Sequence, residues 1–179
     1  MLKSPISLDF NWGSFTQVVD EAPVQIHDRL VEQGSLTALL KSQSSSFRVS
    51  VLSEQPHVPP QCISEALGEE VELAICREVL LYCDEQPHVY AQSWISLEAN
   101  EHGLRNLGDK PLGEKLFEQS IWHRGELEVS RVDDKRAHTQ LCELFGVEKH
   151  PVFARRSVFT KGSAKVLVCE IFNSEIINK

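Results

Sequence analysis

The chain has 179 residues, 41% of them hydrophobic and 25% charged, with a formal net charge of −8. That length suffices for a single domain, residues 1–179, whose core closes without disulfide staples. The acidic balance and the lack of a lysine-rich run exclude a typical nucleic-acid binder, and no apolar run approaches the roughly 18 residues that span a bilayer.

The opening stretch "MLKSPISLDFNWGSF" carries one lysine and no apolar h-region, so no secretory signal is expected. Next, "PVQIHDRLVEQGSLTALLKS" reads as a helix, a sharp turn and a second helix. Val24, Ile26, Leu30 and Val31 are the apolar positions of the first helix, Gly34 is its stop, and Ser35 caps the second. The loop "KSQSSSF" leads into a strand, "FRVSVLSE". The clearest signal is "VELAICREVLLYCDEQPHVYAQSWISLE", two long strands joined at "DEQP". A turn-rich stretch and "NLGDKPLGEKLF" follow, with Pro111 favoured at the first helical position. "SIWHRGELEVSRVDD" is a further strand candidate, and "KRAHTQLCELFGV" an amphipathic helix ending at Gly146. "PVFARRSVFTKGSAKVLVCEIFNSEI" is a second hairpin turning at Lys161, Gly162 and Ser163. Strands outnumber helices and come in adjacent hairpins, which predicts an α+β domain, an antiparallel sheet with helices packed on it.

The five cysteines form no Cys-x-x-Cys pair and the seven histidines no His-Glu-x-x-His. Reduced thiols in the cytoplasm and no metal site are the expectation.

Two charges stand on apolar faces. Alternation along a strand puts Arg77 in a row with Leu73, Ile75, Val79 and Leu81. It likewise puts Glu170 in a row with Val166, Val168 and Phe172. Burial of a charge is costly unless it is paired or bound. Either the two pair with each other or with backbone groups, or they mark a polar site on the covered face. In such a site arginine grips a carboxylate bidentately and glutamate accepts from a hydroxyl. After Pro111, the amides of Leu112 and Gly113 are free donors at a positive helix end, which suits an anion or simply a well-packed helix start.

In order and spacing, "REVLLYCDEQP", "LGDKPLGEKLF", "ARRSVF" and "VLVCEIF" resemble the chorismate pyruvate-lyase family, over roughly residues 24 to 175. The resemblance implies an antiparallel sheet of about six strands, an enclosed pocket, no cofactor and tight retention of product. It implies removal of pyruvate from chorismate to leave 4-hydroxybenzoate, the ring precursor of ubiquinone, by a monomeric, cytoplasmic enzyme. Carried over residue by residue, it assigns the ring carboxylate to Arg77 and the Leu112 backbone, and the ring hydroxyl to Glu170. A further backbone contact, from a helix-turn-helix flap, falls on Leu36. Arg77 and Glu170 are thus the candidate catalytic residues, and Arg155 and Arg156 are candidates for the enolpyruvyl carboxylate. Adjacent strand residues point to opposite faces, so at least one of these two arginines is structural or solvated. Gln92 and Ser96 depart from the family's tendency to arginine and proline, and "KRAHTQLCELFGVEKHP" is long for it; both departures bear on pocket shape or product release. The rival reading is a non-catalytic binding module for an aromatic carboxylate, because the same fold resembles the effector domains of some bacterial regulators.

Overall fold

In the computed structural model, residues 5–68, 70–118 and 121–175 are described. The start of the N-terminal stretch (1–4) and Ser120 of the strand candidate lie outside them.

The predicted strands and helices appear in the predicted order, with unpredicted helices added at Gln61–Leu67 and Leu97–Ala99. The first helix is a 3-10 turn, Val24–Ile26, that runs into α1, His27–Val31. Ile26 and Leu30 are fully buried, whereas Val24 and Val31 are exposed. Gly34 is not the stop: α1 ends at Val31, and Glu32, with a ψ of 117°, is its C-cap. Ser35 does cap α2, Leu36–Ser42, its hydroxyl accepting from the Ala38 amide at 3.2 Å. β1 spans Phe47–His57 and α3 spans Gln61–Leu67. The long hairpin is β2, Ala74–Cys83, and β3, Gln86–Ser96. Its turn is only Asp84 and Glu85, both at positive φ (48° and 65°), the geometry that matches strand twist; Gln86 and Pro87 already belong to β3. A short helical turn α4, Leu97–Ala99, leads through Asn100–Leu104 to α5, Leu112–Glu118. Pro111 thus precedes the first helical residue instead of occupying it.

The strand candidate after α5 divides into β4, His123–Arg124, and β5, Glu128–Arg131. Both pair with β6, Phe153–Lys161, so they are one edge strand interrupted at Gly125. A Cβ on Gly125 would sit 3.2 Å from the Val158 carbonyl, which is why this break takes glycine. α6, Lys135–Phe145, ends at Gly146 in the left-handed conformation (φ 68°), as predicted. β7, Ala164–Phe172, completes the second hairpin. All strand pairings are antiparallel, in the order β1-β2-β3-β7-β6-β4 with β5 also on β6. The count among the described residues is therefore seven strands, against the expected six, because the last position is split.

One sheet face carries Ala74, Cys76, Leu80, Trp94, Leu167 and Ile171, covered by α3, α6 and the N-terminal segment through Ile63, Leu141 and Phe145. On the other face, Val79, Leu81, Val89, Phe153 and Phe172 meet Ile26 of the 3-10 turn and the undersides of α1 and α2, Leu30, Leu36 and Leu40. At roughly 1.5–3 kcal/mol per fully buried aliphatic side chain, those four residues suffice to hold two short helices against the sheet. The same face continues into a cluster of Leu104, Leu107, Leu112, Leu116 and Phe159 around α5. Between these two clusters lies the cavity described next.

Candidate functional site

The cavity is lined by β1, β2, β3, β6 and β7 below, by Arg124 of β4, and by the start of α2 and the length of α5 above. Leu36, Arg77, Leu112 and Glu170, the four residues singled out from the sequence, all line it. The two charges on apolar rows do not pair with each other. Arg77, 3% exposed, forms an ion pair with Glu54 of β1. Its Nη2 donates to the carbonyls of Gly108 (2.7 Å) and Lys110 (3.2 Å). Glu170, 14% exposed, accepts from Arg155 Nε at 2.5 Å.

The turn before α5 has a mechanical role. Asn106 and Gly108 both take φ of 57°, a conformation that glycine and asparagine tolerate best. This coils the chain so that two carbonyls face Arg77 while Leu112 follows at the helix start, lining the same cavity. With the Glu54 contact, three of the five guanidinium N–H donors are committed among the described residues.

Glu54 reaches Arg77 through a β-bulge. The register runs Val51 to Val79, then Ser53 to Glu78 and Glu54 to Arg77. Leu52 is the extra residue, and it reverses the in–out alternation of the rest of β1. Regular alternation from Val49 would have placed Ser53 on the cavity face instead.

Arg155 and Arg156 divide as alternation requires. Arg155, 1% exposed, lines the cavity, and its Nη1 donates to the carbonyls of Arg29 (2.9 Å) and Glu32 (2.7 Å) at the end of α1. Those carbonyls are left over by the helix, so the arginine serves as its C-terminal cap. Arg156 turns to the opposite face, paired with Glu128 at 3.0 Å and lying over the Trp12 ring. It has no place in the cavity.

A third arginine was not singled out. Arg124 of β4 also lines the cavity; its Nε donates to Ser157 Oγ at 2.8 Å. Its Nη1 reaches the carbonyls of Gln33 (2.8 Å) and Glu32 (3.2 Å), and the guanidinium lies over Phe117 and Phe159. Burial, and next the neighbouring Arg155 charge, lower its pKa from the ordinary arginine value. The sequence held a partial signal, since Arg124 alternates with the buried Trp122, but the broken strand obscured it.

The departures from the family pattern fall elsewhere. Gln92 faces away from the cavity, in a buried network: Trp94 Nε1 donates to it (2.8 Å), and it donates to Tyr90 (2.9 Å) and the Ile6 carbonyl (2.9 Å). Tyr90 in turn donates to Glu78 at 2.5 Å. Burial, then the Glu78 charge, hold the Tyr90 phenol well above its usual pKa. Ser96 accepts from the Ala99 amide and caps α4. The long segment forms α6, on the far face.

Cys62, Cys76, Cys83, Cys142 and Cys169 are unpaired, and all but Cys62 are buried. Burial raises the thiol pKa of Cys62, Cys76, Cys83 and Cys169, which makes them poor nucleophiles. Among the described residues, no helix is long and apolar enough to cross a membrane.

A family model described as chorismate lyase matches residues 9–179. A protein of Pseudoalteromonas translucida named "Probable chorismate pyruvate-lyase" is 37% identical over 174 residues, covering 96% of each chain. One of the same name from Ralstonia nicotianae is 40% identical over 147 residues, covering 77% of this chain and 75% of its own. Among solved structures, the effector domain of PhnF from Mycobacterium smegmatis superposes with a TM-score of 0.60 at 16% identity, over 79% of this chain and 90% of that one. The C-terminal domain of the histidine utilization repressor from Pseudomonas syringae gives 0.59 at 11% identity, over 71% and 91%. Likeness at such identities is likeness of fold.

Proposed function

We propose that this chain, which belongs to the chorismate lyase family, eliminates pyruvate from chorismate and leaves 4-hydroxybenzoate. The observation that carries this reading is that Arg77, Leu112 and Glu170 line one covered cavity, with Arg77 clamped by the turn that leads to Leu112. Arg77 and the Leu112 amide hold the ring carboxylate, the Leu36 backbone contacts the ligand from the flap, and Glu170, oriented by Arg155, accepts from the C4 hydroxyl.

The C3–O bond breaks and its electron pair becomes the pyruvate carbonyl. The C4 hydrogen passes to the enolpyruvyl methylene, which becomes the methyl of pyruvate, and the ring aromatises. Because aromatisation drives the step, the protein mainly positions the ring and stabilises developing charge. No cofactor enters this scheme. The product would feed ubiquinone synthesis in the cytoplasm, and the enzyme would act as a monomer.

The test is purified protein with chorismate, following aromatic absorbance and pyruvate together. Both should rise in step, and a burst followed by a slow phase would indicate retained product. Arg77→Ala should lose most turnover while circular dichroism remains unchanged; normal turnover would overturn the site assignment. Near-normal turnover by Glu170→Gln would leave the carboxylate a positioning role only. The likeness to effector domains favours a second reading, a non-catalytic binder of aromatic carboxylates. Binding of 4-hydroxybenzoate without production of pyruvate would select it.

A further inference from the structure

The substrate has a second carboxylate, on the enolpyruvyl arm, that the product lacks. Resting on the proposed lyase reading, we infer that Arg124 takes this carboxylate and, through the same guanidinium, ties it to the flap formed by α1 and α2. Arg77 and Arg155 already have carboxylate partners, Glu54 and Glu170, and Arg156 is paired with Glu128 and faces away. Arg124 is the remaining cavity-lining arginine among the described residues: it bonds only a hydroxyl and backbone carbonyls, with no carboxylate partner among them, and its Nη2 makes no hydrogen bond to any of them.

Its geometry gives it two ends. Nε is anchored on Ser157 of β6, which fixes the guanidinium plane from below. Nη1 holds the Glu32 and Gln33 carbonyls, the turn between the two flap helices. Leu36 and Thr37 of the flap line the cavity just beyond that turn. A carboxylate on Nη2 completes a bridge from sheet through ligand-bound arginine to flap, and it stabilises the guanidinium in the position that holds the turn. A ligand without that carboxylate leaves the turn with the weaker, ligand-free clasp. The flap thereby responds to whether the enolpyruvyl group is present: firmer over substrate, looser over product.

The test compares two non-reacting probes, 4-hydroxybenzoate and 3-(carboxymethoxy)-4-hydroxybenzoate, which adds the second carboxylate at the ether position. Affinities are read by calorimetry, and flap order by hydrogen exchange of residues 27–42, for the wild type and Arg124→Gln. In the wild type the dicarboxylate should protect the flap more than the monocarboxylate does. Arg124→Gln should weaken the dicarboxylate about tenfold or more while changing 4-hydroxybenzoate less than about threefold, and should abolish the difference in protection. Arg124→Lys should restore part of the dicarboxylate affinity but not the flap protection, since an ammonium lacks the fork.

Equal weakening of both probes, or unchanged dicarboxylate affinity, would overturn the inference. A wild type that binds neither probe would instead sink the lyase reading. In that case the clasp is judged without ligand: faster exchange at residues 32–36 in Arg124→Gln supports it and unchanged exchange refutes it.

Discussion

Replacing Arg155 with methionine should destabilise the fold through Glu170, not merely through lost packing. Arg155 is 1% exposed and Glu170 14%, so the pair is largely removed from water. Methionine keeps an unbranched apolar stem but leaves the carboxylate without its cation at 2.5 Å, and the Arg29 and Glu32 carbonyls without a donor. Removing one partner of a buried pair costs about 3–5 kcal/mol, because the surviving charge stays desolvated. For a domain of this size that is a drop in Tm of roughly 6–20 °C. If the stranded charge is the cause, neutralising it should recover much of the loss. The double variant Arg155→Met with Glu170→Gln should be more stable than the sum of the single effects predicts, by about 1.5–3 kcal/mol. Urea denaturation of the four proteins measures this cycle. Additivity within about 0.5 kcal/mol would mean that Arg155 acts only as the cap of α1, and that its contact with Glu170 contributes nothing to stability.

Three further outcomes are expected. His88 accepts from Arg29 Nη1 at 3.1 Å in the neutral form, and burial, then the Arg29 charge, lower its pKa to about 4. The unfolded chain, with histidine near 6.5, binds more protons between those values, so stability should fall by about 1–3 kcal/mol as pH drops from 6.5 to 4 and then level off; the difference between wild type and His88→Gln across that window isolates it, and a flat difference would refute it. Leu40→Ala in the fully buried underside of α2 should cost about 2–5 kcal/mol by denaturation and speed dissociation of a bound aromatic carboxylate. Glu54→Gln removes the anion that competes for Arg77, so 4-hydroxybenzoate should bind about 3–10-fold tighter by calorimetry; weaker binding would mean that Glu54 serves to aim the guanidinium.

The fold was legible where periodicity is local. Two hairpins, the Ser35 cap and the Gly146 stop follow from side-chain alternation and cap chemistry within a few residues. The candidate site was half legible. Arg77 and Glu170 stand out because each interrupts an apolar row, but their partners do not. Glu54 lies on the cavity face only because Leu52 bulges, and a bulge is set by the whole sheet edge. Arg124 sits on a two-residue strand whose break at Gly125 hides its periodicity. Gln92 shows the opposite error: its departure from a family pattern reads as bearing on the pocket, yet alternation turns it to the far face, where it closes a network with Tyr90 and Trp94.

The charges around the cavity bear on which ligand it retains. Arg77, Arg124 and Arg155 line the cavity with three positive charges and Glu170 with one negative; with Glu54, which pairs with Arg77 from outside the lining, the local balance is +1 within a chain of net −8. A chorismate dianion would carry that balance to −1, whereas 4-hydroxybenzoate, a monoanion, brings it to zero. In a site shielded from water, an unbalanced charge is felt strongly. On the proposed reading, elimination therefore moves the cavity toward neutrality as the pyruvate carboxylate departs, and the site favours the ring product it is left holding. The corollary is that release, more than chemistry, governs turnover: substitutions that loosen the flap without touching Arg77 or Glu170, such as Leu40→Ala, should raise the steady-state rate while leaving the single-turnover rate nearly unchanged. A parallel loss of both rates would show that flap packing serves the chemical step itself.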